Sequence, residues 1–430
     1  MKGVIIMKIK KVLYTPIATG YYMDDKEAIQ KGASQDLFNY PGTPLTPGFK
    51  RIRQPGEGVS IIFELENGDI AYGDCTVAQY SASGGREVPL STKDLMRIIQ
   101  REVVPRFEGK YLFSFRGDSS EIDKLHLEGF KLPATIRYGV TQAILKTIAK
   151  KRRCTMAEVV ADEYNLELNP IPIKISTQSG DDRYVNVDKM ILKQADMMPH
   201  GLINSVSEKL GTNGETFLHY VSWVKKRVLE IGDAGYNPIL MFDVYGCIGK
   251  AFNNDFDKVT EYLLEVEKRC KPFEVFIEMP IDMGTKQEQL QGMKYLREKL
   301  NSKGSNLKLT IDEYANTLED IKEWVDLKGA DMIHIKTVDL GGINNTVEAV
   351  LYCKEKGTLA YLGGTCNETE NSAKACINIG LATQPFVMLA KPGMDVDTPL
   401  MIFNNEQERL IQIIQARKME SLMQKAGNRC

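Results

Sequence analysis

The chain is poor in histidine, with four in 430 residues, and none of its eight cysteines forms a CxxC pair. Cysteines spaced this widely, among them Cys75, Cys154, Cys247 and Cys366, argue against a disulfide frame or a zinc site and for reduced thiols. No stretch approaches the roughly 20 apolar residues that cross a bilayer, and the opening MKGVIIM is too short an apolar run for a secretory signal. A cytoplasmic location with no membrane partner is therefore expected. The net charge of −2 shows no basic excess, which argues against a nucleic-acid partner. Met7 opens the strand-like segment MKIKKVLYTP and is an alternative start, which would make the first six residues a short extension.

What is present is a rhythm of short apolar runs that end in charge. Asp243 follows Pro238–Phe242, Glu278 follows Phe273–Ile277, Asp312 follows Leu307–Ile311, and a fourth run ends at Lys336. The intervals from Asp243 to Glu278 to Asp312 to Lys336 are 35, 34 and 24 residues. A βα unit of a parallel barrel takes about 30. Eight strand-like runs can be counted: Ile171–Ser176, Leu202–Val206, Pro238–Asp243, Glu274–Glu278, Leu307–Asp312, Met332–Lys336, Leu359–Leu362 and Phe386–Leu389. Amphipathic helical patterns such as Thr216–Ile231 and Gln287–Leu300 separate most of them.

The expected fold is α/β: a TIM-type barrel preceded by an α+β capping domain. Residues 1–165 form the cap, 166–403 the barrel, and 404–430 a helix that returns to the cap. The cap begins with strands at Ile9–Thr15, Gly58–Leu65 and Asp69–Gly73, the last two joined by an Asn67-Gly68 hairpin turn. Helices are expected at Thr92–Arg106, capped by Thr92, and at Pro133–Lys150. The Pro- and Gly-rich segment Asp36–Gly56 reads as a loop, either an active-site lid or a solvated connection.

Carboxylates at the C-terminal ends of successive barrel strands converge on one mouth. Asp243, Glu278 and Asp312 there offer three hard oxygen ligands to Mg²⁺, and a lysine beside them can act as a base. Each carboxylate alone could equally cap a helix; three in consecutive units favour the metal. A desolvated Lys336 beside Mg²⁺ should lose its proton readily. His334, two residues before it, shares its face. His200, just before the second predicted strand, is placed to face the mouth opposite Lys336, and Asp339 is a strand-end hydrogen-bonding residue. The loops QSGDDRY after the first strand and GGTCNETE after the seventh bring Gln178, Thr365 and the Cys366 amide to the same mouth, suited to a substrate carboxylate. Cys366 is a poor candidate nucleophile, since no histidine can be set beside it.

The motifs VAQYSASGGR, QSGDDRYVNVDKMILK, PHGLINSVSEKLG, FDVYG, FIEMP, DEYANT, IKTVDLGGI, LGGTCNETE and LAKPGM resemble those of methylaspartate ammonia-lyases, in the enolase superfamily, over nearly the whole chain. The resemblance implies reversible elimination of ammonia from 3-methylaspartate to mesaconate, as in glutamate fermentation. It implies Mg²⁺ on Asp243, Glu278 and Asp312, with Lys336 taking the C3 proton of the (2S,3S) substrate. His200 becomes the second catalytic residue, contacting the metal-bound carboxylate and acting as base towards the opposite C3 configuration. Gln178, Thr365 and Cys366 would hold the other carboxylate, with Gln79 and Leu389 near the amino and methyl groups. K⁺ activation and a homodimer also follow from the family.

The chain departs from that pattern in places. His334 stands where the family usually has glutamine, Met279 where it has glycine, and Tyr314-Ala315 where it has a tryptophan-cysteine pair. His334 and Met279 alter the pocket wall and leave open a changed rate, pH profile or substrate. The alternatives are a related lyase, racemase or dehydratase of the superfamily acting on another amino or hydroxy acid, and a barrel that binds ligand without turnover.

Overall fold

The computed structural model describes residues 7–127 and 129–427; the expected six-residue extension lies outside them. The chain opens with β1 (Met7–Asp24), β2 (Arg53–Leu65), β3 (Ile70–Cys75) and β4 (Tyr111–Leu112), an antiparallel sheet of order β3-β2-β1-β4. The three predicted strands lie within β1, β2 and β3 apart from Asp69, and the Asn67-Gly68 turn joins the last two, with Gly68 at φ +85°. The predicted loop ends at Ile52, because its last four residues enter β2.

The helix expected over Thr92–Arg106 is broken by a π-turn at Ile99–Val103, just ahead of Pro105, which has no N–H to continue the ladder. Its cap is Ser91 rather than Thr92: Ser91 Oγ accepts the Asp94 N–H at 3.1 Å. After a short hairpin of β5 (His126–Leu127) and β6 (Phe130–Lys131), the helix Ala134–Arg152 packs on the sheet. The approach is so close that a Cβ on Gly73 would lie 2.0 Å from the Gly139 carbonyl oxygen.

Eight parallel strands then close a barrel: β7 (Ile175–Ser176), β8 (Met197–His200), β9 (Ile239–Asp243), β10 (Val275–Glu278), β11 (Lys308–Ile311), β12 (Met332–Ile335), β13 (Leu359–Leu362) and β14 (Val387–Leu389). Two predicted strands need correction. β7 keeps only the last two residues of Ile171–Ser176. The second strand is Met197–His200, not Leu202–Val206. Pro199 disguised the true strand, while Leu202 is apolar because it packs against Tyr80 and Tyr245 in a buried loop.

Met197, Met241, Phe276, Met332, Tyr361 and Leu389 fill the barrel interior, while intervening residues such as Leu240, Ile277 and Ile333 pack outward. Each such buried side chain stabilises by roughly 1.5–3 kcal/mol relative to exposure. The last helix runs from Asp397 to Gly427, starting earlier than Asn404. Its Gln407 Oε1 accepts the Ile173 N–H at 2.9 Å, and Arg417 pairs with Glu158 on the N-terminal helix Met156–Glu163. Among the described residues no helix is long and apolar enough to cross a membrane, and seven cysteines are free.

Candidate active site

Strand parity aims the chemistry. Met241, Phe276 and Met332 point into the barrel, so Asp243, Glu278 and His334, two residues on, face the same way at the C-terminal rim. Lys336 lies two beyond His334 and retains 13% of its side-chain exposure, whereas Asp243, Glu278 and Asp312 are buried. His200 has the opposite parity to Met197. Positive φ at His200 (+65°), Gly201 and Leu202 turns the chain there, and the imidazole Nε2 comes within 3.5 Å of Asp243 Oδ2. His200 is thus the last residue of β8, not a residue ahead of the second strand.

Two groups of side chains offer convergent metal ligands: His200, Asp243 and Glu278, and Glu278, Asp312 and His334, with the donor atoms in each within 4.8 Å of one another. Burial, followed by repulsion from Glu278, Glu313 and Asp312, pushes the Asp243 carboxyl well above its usual range; burial and Asp312 do the same to Glu278. Glu278 Oε2 is buried with no hydrogen-bond partner. Such an array of oxygen donors, short of positive charge, fits a divalent cation.

Asp312 differs from its two neighbours. Burial opposes its charge, but Lys336 Nζ at 2.5 Å and Arg86 Nη2 at 2.9 Å hold its carboxyl below the ordinary range. Lys336 answers in kind. Burial and Arg86 favour the neutral amine, yet Asp312, Glu313 and Asp339 outweigh them and raise its pKa. The expected lowering is therefore not what the chain's own charges produce. Burial above all brings both His200 and His334 down to about 3, so each imidazole is neutral at physiological pH.

His334 is held tightly. Its Nδ1 lies 2.8 Å from Glu278 Oε1, its ring stacks on Tyr361 with centroids 4.3 Å apart, and a Cβ on Gly363 would lie 2.0 Å from its Nε2. Gln178 is buried on the β7 side with Nε2 unpartnered. Thr365 Oγ1 accepts the Gln79 N–H at 3.1 Å, and the Cys366 thiol donates to Gln79 Oε1 at 3.3 Å, so these three meet. Burial raises the Cys366 thiol to about 12, which rules it out as a nucleophile near neutrality. Leu389, the last residue of β14, lies in the apolar barrel interior.

Met279 sits at φ +48° and Tyr314 at +60°, left-handed conformations that cost a side-chain-bearing residue roughly 1 kcal/mol and that glycine adopts freely. Tyr314 anchors through its OH to the Gly284 carbonyl at 2.9 Å, and Ala315 is buried in the core.

Sequence reasoning missed Arg86, which donates to Asp312 and, through Nε at 2.7 Å, to Asp339. It also missed Lys26, whose Nζ lies 2.6 Å from Glu313. Arg86 lies in VAQYSASGGR, but no periodicity or spacing marks it as buried.

A closed parallel barrel with strand-end carboxylates and an N-terminal antiparallel sheet defines the class: a capped barrel with the enolase-type fold. Its fold is that of muconate cycloisomerase from Pseudomonas fluorescens, TM-score 0.60 at 14% identity over 87% of this chain and 84% of that one. The chain belongs to the methylaspartate ammonia-lyase family: the family's N-terminus model matches residues 7–165 and its C-terminus model 165–416. It is 48% identical to methylaspartate ammonia-lyase 2 of Carboxydothermus hydrogenoformans, over 96% of this chain and 99% of the relative. The Mg complex of β-methylaspartase from Clostridium tetanomorphum is 46% identical, TM-score 0.88, over 95% of this chain and 100% of that one. The Citrobacter amalonaticus enzyme containing (2S,3S)-3-methylaspartic acid is 43% identical, TM-score 0.92, at the same coverage.

Proposed function

We propose that this protein eliminates ammonia reversibly from (2S,3S)-3-methylaspartate to give mesaconate, with Asp243, Glu278 and Asp312 holding Mg²⁺. The observation that carries the reading is that buried Glu278 is shared by two converging groups, one with Asp243 and His200 and one with Asp312 and His334, with Lys336 Nζ on Asp312. A divalent cation at those carboxylates supplies positive charge to a substrate carboxylate as negative charge develops beside it.

Lys336 Nζ takes the C3 proton, and the electron pair left at C3 forms the double bond to C2 as ammonia departs. To do so the lysine must first be neutral. Asp312 is the leading charge that keeps it protonated. Engaging Asp312 elsewhere removes the largest charge that raises it, so burial and Arg86, which favour the free amine, are then opposed by Glu313 and Asp339 alone. His200, neutral and buried on the Asp243 side, is suited to accept the proton of the opposite C3 configuration. Gln178, Thr365 and the Cys366 amide bind the distal carboxylate, and Gln79 and Leu389 border the amino and methyl groups. K⁺ as activator, a homodimer, a cytoplasmic location and the division into 1–165, 166–403 and 404–430 belong to the same reading.

The test follows mesaconate absorbance on adding (2S,3S)-3-methylaspartate with Mg²⁺ and K⁺, beside an EDTA control. A metal-dependent rise is expected; folded, metal-loaded protein that gives none overturns the reading. One observation favours a second reading, a superfamily lyase for another amino acid: His334 turns Nδ1 to Glu278 and packs Nε2 on Gly363. Faster turnover of another amino or hydroxy acid in a substrate panel would select it.

A further inference from the structure

We propose that His334 Nδ1 is a fourth protein ligand of the metal centre, giving the site a preference for first-row transition ions such as Mn²⁺ and Co²⁺ over Mg²⁺. The inference rests on the metal reading above and deepens it. Neighbouring donors around one ion with bonds of about 2.1 Å at right angles stand roughly 3 Å apart. His334 Nδ1 and Glu278 Oε1 are separated by 2.8 Å, and the donors of Glu278, Asp312 and His334 lie within 4.8 Å of one another.

The ring has little freedom to turn away. Tyr361 stacks on one face, its own OH donating to Ser176 Oγ at 3.1 Å, and Gly363 closes the Nε2 edge. Only Nδ1 is presented to the carboxylates. With Nδ1 turned to a cation, the ring's one proton sits on Nε2, which is buried without a hydrogen-bond partner. Glu278 Oε2, also buried and unpartnered, is the second independent sign that a cation completes the cluster.

The chemistry then follows from donor type. Mg²⁺ favours an all-oxygen shell and keeps its waters, whereas imidazole nitrogen raises affinity along the first transition row. Nitrogen on one of the sites around the ion therefore penalises Mg²⁺ and rewards Co²⁺ more than Mn²⁺. Missing support at Nε2 limits the gain, because ligating histidines commonly owe about 10–100-fold in affinity to an acceptor on the other nitrogen.

The test uses the full-length protein loaded with Mn²⁺ and reads ¹⁴N coupling by electron spin-echo spectroscopy, for wild type, His334→Gln and His200→Gln. Calorimetric competition between Co²⁺ and Mg²⁺ accompanies it. The expected result is imidazole coupling in wild type and His200→Gln, its loss in His334→Gln, and a Co²⁺ over Mg²⁺ preference that falls on the order of tenfold in His334→Gln. Mn²⁺ bound without imidazole coupling, or coupling lost with His200 instead, overturns the inference and leaves the metal reading intact. Wild type that binds no Mn²⁺ removes both. Should His334→Gln fail to fold, wild type and His200→Gln still decide: coupling retained in the latter supports His334, and coupling absent from it refutes it.

Discussion

Two buried clusters of charge lie within a few residues of each other at the barrel rim, and they are built on opposite principles. At the mouth, Asp243 and Asp312 each converge on Glu278, the three repel one another, and one Glu278 oxygen is unpartnered. After β14, Lys391 is fully buried with Glu368, and nothing is left over. Its Nζ donates to Glu368 Oε1 at 2.8 Å, the Gly363 carbonyl at 2.7 Å and Thr337 Oγ1 at 3.2 Å. Glu368 Oε2 accepts from the Tyr138 OH at 2.6 Å, and its Oε1 also accepts the Thr365 N–H at 3.1 Å. Burial presses Lys391 towards neutrality, but Cys376 and Glu368 reverse it. The first cluster is short of positive charge; the second is a closed lattice that ties Thr337, next to Lys336, to the loop carrying Thr365.

The largest effect should come from the first cluster. Lys336→Ala is expected to cut (2S,3S)-methylaspartate deamination by about 10²–10⁴-fold while Mn²⁺ binding and the circular dichroism spectrum stay unchanged. Near-normal turnover in that variant would falsify the role given to Lys336.

Next in size is a break in the closed lattice. Lys391→Met strands the Glu368 carboxylate in the interior, and a loss of about 3–5 kcal/mol is expected in denaturant unfolding. Adding Glu368→Gln should return much of that, since the charge goes while a hydrogen-bonding amide stays. A single variant as stable as wild type would show that the pair is not the closed unit its distances describe.

The third prediction has the opposite sign. Asp243→Asn removes one of the mutually repelling carboxylates while its Oδ1 can still accept the Tyr245 N–H, now at 3.1 Å. In EDTA this variant should be more stable than wild type, by on the order of 1 kcal/mol, the size of one pKa unit, although it binds divalent metal poorly. Lower stability in EDTA would mean that the mouth is already relaxed and the contrast between the clusters is false.

This contrast also explains what was legible beforehand. Asp243, Glu278, Asp312 and Lys336 could be found because each ends an apolar run, and a repeated strand period plus alternate-residue parity is enough to aim them at one mouth. His200 was placed at the mouth from its position ahead of a predicted strand that was itself misread, because Pro199 interrupts the pattern and a backbone turn at positive φ replaces parity. The satisfying partners were hidden for another reason. Arg86 is 226 residues from Asp312 and Lys26 is 287 from Glu313, so no local pattern links them. Lys391 and Glu368 lie only 23 residues apart, yet each reads as an ordinary charged loop residue until the barrel closes. Their motifs, LAKPGM and GGTCNETE, acquire a meaning only from the contacts.

The smallest effect sharpens the comparison at a third, satisfied site. Asp123 pairs with Arg137 on the helix Ala134–Arg152 and accepts the Gly342 N–H at 3.0 Å and an Asn345 amide hydrogen at 2.8 Å, joining the N-terminal segment to the loop beyond Lys336. Burial opposes its charge, but Arg137, Asn345 and Gly342 together hold its carboxyl below the usual range. A carboxyl depressed by folding contributes stability above its unfolded pKa, near 3.9, and loses that contribution as pH falls towards the folded value. The stability gap between wild type and Asp123→Asn should therefore be widest near neutrality and narrow as pH drops below about 4, read from urea midpoints across the range. A gap that stays constant with pH would mean that Asp123 acts through shape and hydrogen bonding alone, not through its charge.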